Sequence, residues 1–168
     1  MGFGRTPRQF KLQASRYTHW LSDLFKESIQ MVADGLDLNL DTITERSIVE
    51  LAQQDIKVAA GTLQKGSVAG QRWEWAGILN KKKIIVHETV WRMHDAVGDK
   101  WPRGNHSITM QGNPDIFLDF GSTWNSDVLL SAAVHAVNAL PYVCDAPSGV
   151  RTFLDLPTII ARGVMQQS

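Results

Sequence analysis

The spacing of apolar residues changes period twice along this chain, dividing it into a helical start, a strand-rich middle and a helical end. Thr6, then Pro7 and Gln9, form a capping box with proline at the first helical position, which predicts a short helix from residue 7. Beyond Tyr17-Thr18-His19-Trp20, Ser22 is placed to cap a second helix. In that helix Phe25, Ile29, Val32, Ala33 and Leu36 recur on one side, Gly35 ends the pattern, and residues 37–42 read as a turn.

From Ile43 to Phe120 the chain becomes β-branched and aromatic, in short runs separated by Gly, Asn-Lys and Pro signals. Strands are predicted near 44–52, 55–60, 67–79, 83–94, 105–111 and 115–120. The clearest hairpin joins 67–79 to 83–94 through Asn80-Lys81-Lys82, because both arms alternate around Trp73 and Trp75 and around Ile84, Val86 and Val90. A last helix is predicted over 125–141, with Leu129, Ala133, Ala136, Val137 and Leu140 on one side and Ser131, His135, Asn138 and Tyr142 on the other. Pro141 and the stretch Cys144 to Gly149 are expected to end it, and Arg151 to Pro157 to run extended into an exposed tail. The expected fold is α+β: a largely antiparallel mixed sheet with helices packed on one face, in a single domain spanning 1–168.

Composition narrows the function. The 168 residues carry 17 Lys+Arg and 17 Asp+Glu, so no net field steers the chain to nucleic acid or an anionic membrane. There is no long apolar run and no apolar signal segment, and the single cysteine, Cys144, fits a reducing, cytoplasmic setting and reads as a small buried thiol. Lys81-Lys82-Lys83 reads as a solvated hairpin tip. The uncharged row on the last helix lacks the Lys and Glu usual on a solvent face, which predicts a cleft along it. Trp73, Trp75 and Trp91 on neighbouring strands would leave a bare apolar face, which predicts a homodimer through the sheet.

Most catalytic motifs fail on inspection. Gly61-x4-Gly66-Ser67 lacks the lysine of a phosphate loop, and Gly2-Phe3-Gly4 has neither a preceding strand nor a third glycine, so no cofactor site is expected within this chain. His19, His87, His94, His106 and His135 have no metal-binding spacing, so no metal is expected. Asp145-Ala146-Pro147-Ser148-Gly149 matches a dihydrodipicolinate reductase signature, but Val143 stands where that enzyme's lysine belongs and the double histidine is absent.

A wider match covers most of the chain. Gly2-Phe3-Gly4-x-Thr6-Pro7, Val32-Ala33-Asp34-Gly35-Leu36, Val68-Ala69-Gly70-x-Arg72, Asn138-Ala139-Leu140-Pro141, Ala146-Pro147-x-Gly149 and Asp155-Leu156-Pro157 resemble, in that order, the C-terminal domain of 2,4-diaminopentanoate dehydrogenases and related amine dehydrogenases. The stretch Ser15 to Leu24 departs from the glycine-histidine-glycine pattern of that family.

The resemblance implies a plan like that of dihydrodipicolinate reductase. An N-terminal Rossmann domain binds NAD(P), and a C-terminal α+β domain closes over a small amine or ketone and forms the dimer. It implies that Asn138, Pro141, Tyr142 and Thr152 border the substrate, where the helical row read above adds His135, and that the catalytic acid or base and the cofactor lie outside this chain, leaving it inactive alone. A stand-alone ligand-binding module and a purely structural dimerisation domain are the alternatives.

Overall fold

The computed structural model describes residues 2–103, 106–121 and 128–160; for 13–19 and 128 it describes the backbone alone. They fall into two compact units, residues 1–102 and 103–168, each described here by itself.

The first unit opens with helix α1, Pro7–Gly35. Its capping box is present: the Gln9 backbone N–H donates to Thr6 Oγ1 at 3.3 Å, and the Thr6 N–H donates to Gln9 Oε1 at 3.0 Å. The two helices expected from the sequence are one, 29 residues long. Ser22 caps nothing; it lies mid-helix and is buried.

Strands β1 (Thr42–Leu51), β4 (Val68–Leu79) and β5 (Lys82–Arg92) form a three-stranded antiparallel sheet in the order β1-β4-β5, while β2 (Ile56–Val58) and β3 (Gly61–Leu63) form a small hairpin. This hairpin replaces the single strand expected over 55–60. Pairing is antiparallel throughout the described residues, and the expected sheet is divided into separate smaller ones. The turn between β4 and β5 has two residues rather than three: Asn80 and Lys81 both take positive φ, 51° and 63°, and Lys82 already pairs with Leu79. Two successive positive φ values match the right-handed twist of a hairpin, which explains a lysine in a conformation that favours glycine.

The register places Glu45, Ser47, Gln71, Trp73, Trp75, His87 and Trp91 on one face of the sheet. Helix α1 covers that face. Ile29 packs with Trp73 and Trp75, joined by Phe25, Leu40, Ile43, Ile85 and Trp91. Trp73 is 5% exposed and Trp75 0%, so the bare tryptophan face expected from the sequence does not exist. Phe25 stacks on Trp75 at 4.2 Å between ring centroids, and Trp75 lies nearly parallel to Trp73 at 5.7 Å.

One polar link ties the helix to the sheet. The indole Nε1–H of Trp75 donates to Ser22 Oγ at 2.8 Å, the Ser22 hydroxyl donates to Glu45 Oε2, and Lys26 Nζ meets the same carboxylate oxygen at 2.8 Å. Burying an indole is worth several kcal/mol and each neutral hydrogen bond about 1, so packing supplies most of the stability and the link fixes where α1 sits. At Gly77 on β4 a Cβ would lie 2.8 Å from Leu40 Cδ1 and 3.0 Å from Ile29 Cγ2, so any larger residue would force these packed side chains to shift. A second cluster, Ala52, Ile56, Leu63, Ala69 and Val97, fills the end of the unit near β2 and β3.

In the second unit, β6 (Ser107–Met110) pairs with β7 (Ile116–Asp119), and helix α2 runs from Val128 to Asp145. The beginning of the expected helix, residues 125–127, lies outside the described residues, as does the tail from 161. Helix α2 passes through Pro141 instead of stopping there, because a proline ring removes one donor without preventing a last turn. Cys144, on that last turn, is exposed and not buried. The segment expected to run extended from Arg151 contains a tight turn, described below. Among the described residues, no helix is long and apolar enough to cross a membrane.

Ser22→Ala should lower the stability of the first unit by about 1–3 kcal/mol, since it strands the buried Trp75 N–H; urea unfolding followed by tryptophan fluorescence measures this. An unchanged midpoint would show that the link contributes nothing. Burial also lowers the pKa of His87, which stands opposite Trp75 and 4.6 Å from the Phe25 ring, from the ordinary 6.5. The unfolded chain therefore binds the proton more readily, so this contribution is intact above pH 6.5 and is lost as pH falls through the lower folded value. Melting temperature should drop over that window, and His87→Gln should flatten the drop.

Candidate functional site

All five residues singled out from the sequence lie in the second unit, four of them on α2. At about 100° per residue, Ser131, His135, Asn138 and Tyr142 fall into one row along the helix. Ser131, Asn138 and Tyr142 are half-buried, while His135 is exposed; Pro141 is exposed on the flank of the row. The row is the better covered side of the helix, the reverse of the usual amphipathic arrangement. The expected apolar stripe is bare: Leu129 is 84% exposed, Val137 62% and Leu140 57%.

Part of the cover is supplied by the segment after the helix. The Phe153 ring lies 5.1 Å from the His135 ring, tilted by 41°, which brings the residue next to Thr152 beside the row. Thr152 itself is engaged locally: its backbone N–H and its hydroxyl both donate to Asp155 Oδ2, at 2.8 and 2.9 Å, and the Asp155 N–H returns to the Thr152 carbonyl at 3.1 Å. The Thr152 backbone N–H, then its hydroxyl, and then the nearby Arg151 charge hold the Asp155 carboxyl below the usual aspartate range. Arg151 folds back onto the carbonyl oxygens of Pro147, at 2.9 Å from Nε, and of Ser148, at 3.3 Å from Nη2.

Sequence reasoning missed the roles of Phe153 and Asp155. The Thr-x-x-Asp spacing of a local side-chain-to-backbone closure was the available signal for the second. The structure records no hydrogen bond between Thr152 and Asn138 or Tyr142, so it joins His135 to this segment without closing all five residues around one point.

This arrangement can present hydroxyl, amide and phenol groups to a small ligand, with an aromatic edge at Phe153. Among the described residues, no three His, Cys, Asp or Glu side chains are grouped to hold a metal ion. Among the described residues no glycine-rich turn leads from a strand into a helix, and the N-terminus of α1 is closed by its own Thr6–Gln9 box.

A profile of the 2,4-diaminopentanoate dehydrogenase C-terminal domain matches residues 1–168. A protein called amine dehydrogenase from Streptomyces virginiae is 28% identical over 143 residues, covering 77% of this chain and 39% of that protein. A solved structure of the amine dehydrogenase from Mycobacterium smegmatis superposes with a TM-score of 0.70 at 21% identity, over 95% of this chain and 46% of that one. The chain thus spans less than half the length of the relatives it matches.

Asp155→Asn should weaken the Thr152 turn while leaving the first unit untouched. Amide exchange at Thr152 is expected to speed up several-fold, with no change in the tryptophan-monitored unfolding midpoint.

Proposed function

The chain belongs to the family of 2,4-diaminopentanoate dehydrogenase C-terminal domains, and on that premise we propose that it is the substrate-side part of an NAD(P)-dependent oxidoreductase acting on carbon–nitrogen bonds. The observation that carries the reading is the half-buried, uncharged row Ser131, Asn138 and Tyr142, flanked by His135 and Phe153. Such groups can orient an imine, ketone or amine by hydrogen bonds at its nitrogen or oxygen. Asn138 offers both a donor and an acceptor, the Tyr142 phenol either, and Phe153 an apolar surface for a short carbon chain.

In this reading the nicotinamide is held outside this chain, so the assigned role is binding and orientation, with hydride transfer left to the portion of the enzyme that carries the cofactor. Alone, the chain is inactive in this reading.

Dimerisation through the outer face of the three-stranded sheet belongs to the same proposal. That face carries exposed Ile48, Ile84 and Val86 among charged side chains, including the pairs Arg72–Glu88 at 2.6 Å and Glu74–Lys83 at 2.5 Å. The single cysteine, with no second thiol in this sequence to pair with, agrees with a reducing cytoplasm.

The test is ligand titration of the chain in solution, followed by two-dimensional NMR. A short aliphatic amine and its ketone should shift the Asn138 side-chain amide and the Tyr142 ring with a dissociation constant of about 1 mM, near 4 kcal/mol. Asn138→Ala and Tyr142→Phe should each weaken binding by roughly tenfold. Shifts confined to other residues, or none at millimolar ligand, would remove this reading.

A further inference from the structure

The chain between the end of α2 and Pro157 is closed on itself twice in succession. Gly149 takes a φ of 135°, and the Arg151 guanidinium folds back onto the carbonyl oxygens of Pro147 and Ser148, which closes residues 147–151. Thr152 and Asp155 close the next stretch. The carboxylate accepts from the Thr152 N–H and hydroxyl, the Thr152 carbonyl accepts from the Asp155 N–H, and the Leu154 N–H donates to Thr152 Oγ1 at 3.2 Å. Phe153 stands at the tip of this second closure. These local bonds remove much of the freedom that an exposed segment of this length would otherwise keep.

The ring carried by this segment is set against the row on α2, 5.1 Å from the His135 ring, and both belong to the second unit. Polarity orients whatever binds there. Asn138 and Tyr142 supply hydrogen bonds, and the aromatic pair of His135 and Phe153 supplies the apolar contact, so a carbon chain leaving Asn138 runs toward His135. Along the axis His135 precedes Asn138 by three residues, about 4.5 Å, which holds roughly three carbons of an extended chain before the ring is met. Ser131 lies a further four residues back, about 6 Å, on the far side of the aromatic pair.

We infer that residues 147–155 are a preorganised strap and that Phe153 is a specificity-determining residue, the end wall that limits the length of carbon chain accepted beside Asn138. The inference rests on the substrate-side reading above and adds to it a size limit and the residue that sets it. A phenylalanine on a loose loop would swing aside for a longer chain, whereas here the backbone on both sides of the ring is tied. Asp155 touches no ligand in this arrangement and is a positioning residue, acting through the Thr152 turn. The limit favours ketones and amines with about three carbons beyond the one that bears oxygen or nitrogen, and it leaves Ser131 outside the reach of short ligands.

Titration of the full chain with 2-butanone, 2-pentanone, 2-hexanone, 2-heptanone and 2-octanone, followed by NMR at Ser131, Asn138 and Tyr142, tests this. Affinity of the unmodified chain should rise to 2-pentanone and fall by about fivefold or more at 2-heptanone, with no shift at Ser131. In Phe153→Ala it should keep rising, by up to about fourfold per added carbon, and the longer ketones should shift Ser131. Phe153→Leu, a smaller change that reports where the alanine variant fails to fold, should move the maximum by about one carbon. Asp155→Asn should flatten the fall with Phe153 still present, which separates a held wall from a mere contact. If no ketone shifts Asn138 or Tyr142, the substrate-side reading fails and the inference with it. If the ketones bind there but affinity climbs through the whole series in the unmodified chain, or the maximum stays at one length in both Phe153 variants, the wall alone is overturned. Loss of every ketone in Phe153→Ala, with the α2 amide shifts preserved, overturns it as well, since the ring would then be a surface on which the ligand lies. An unchanged length profile in Asp155→Asn overturns the strap.

Discussion

The first unit is organised around a single buried indole. Trp75 is the central side chain of the central strand, clamped between Phe25 of the helix and Trp73 of its own strand, with its only polar atom directed to Ser22. A side chain this large cannot be buried on a three-stranded sheet unless something covers the whole face, and α1 does so over several turns. The hydroxyl of Ser22 then determines where along α1 the cover is placed, because any other register would leave an N–H unpaired in an apolar setting. The glycine at position 77 follows from the same constraint: with the helix in place, the side chains of Ile29 and Leu40 fill the space that a Cβ there would need.

How much of this could be read in advance depended on the range of the interaction. The Thr6–Gln9 box, the alternation of β4 and β5 and the row on α2 are local patterns, and the structure reproduces them. Ser22 shows the limit. A serine ahead of an apolar run has the same local appearance whether it starts a helix or lies within one, and the partner that decides, Trp75, is 53 residues away. The tryptophans were misassigned to an interface for the same reason: alternation identifies a face but not what lies on it. Lys81 at positive φ carried no sequence signal, so the tip of the hairpin was drawn one residue too long. In the site, the row was legible from its period, whereas Phe153 reaches His135 through a bend that Asp155 closes, and a bend of that kind leaves only a weak spacing signature.

The family match and the physical division of the chain describe different things. Membership extends over all 168 residues, yet among the described residues the buried side chains stop at Trp101. Sequence families are delimited by inheritance, while cores are delimited by which surfaces exclude water from one another, and the two need not share a border. For this protein the distinction matters because the residues proposed to face the substrate lie in the second unit, beyond the described buried side chains. Their geometry is set locally by α2 and the Thr152 turn.

The near-parallel stack of Trp73 and Trp75, 11° between planes, also has an optical consequence. Two indoles at that distance couple their electronic transitions, and a dipole pair held rigidly in a chiral setting contributes to circular dichroism in a way that isolated tryptophans do not. Of the six tryptophans, five precede residue 103 and only Trp124 follows it. The chain is thus labelled asymmetrically by its own composition, so that light absorbed and emitted by indole reports almost entirely on the helix-covered sheet, and events confined to the remaining third pass nearly unseen by it.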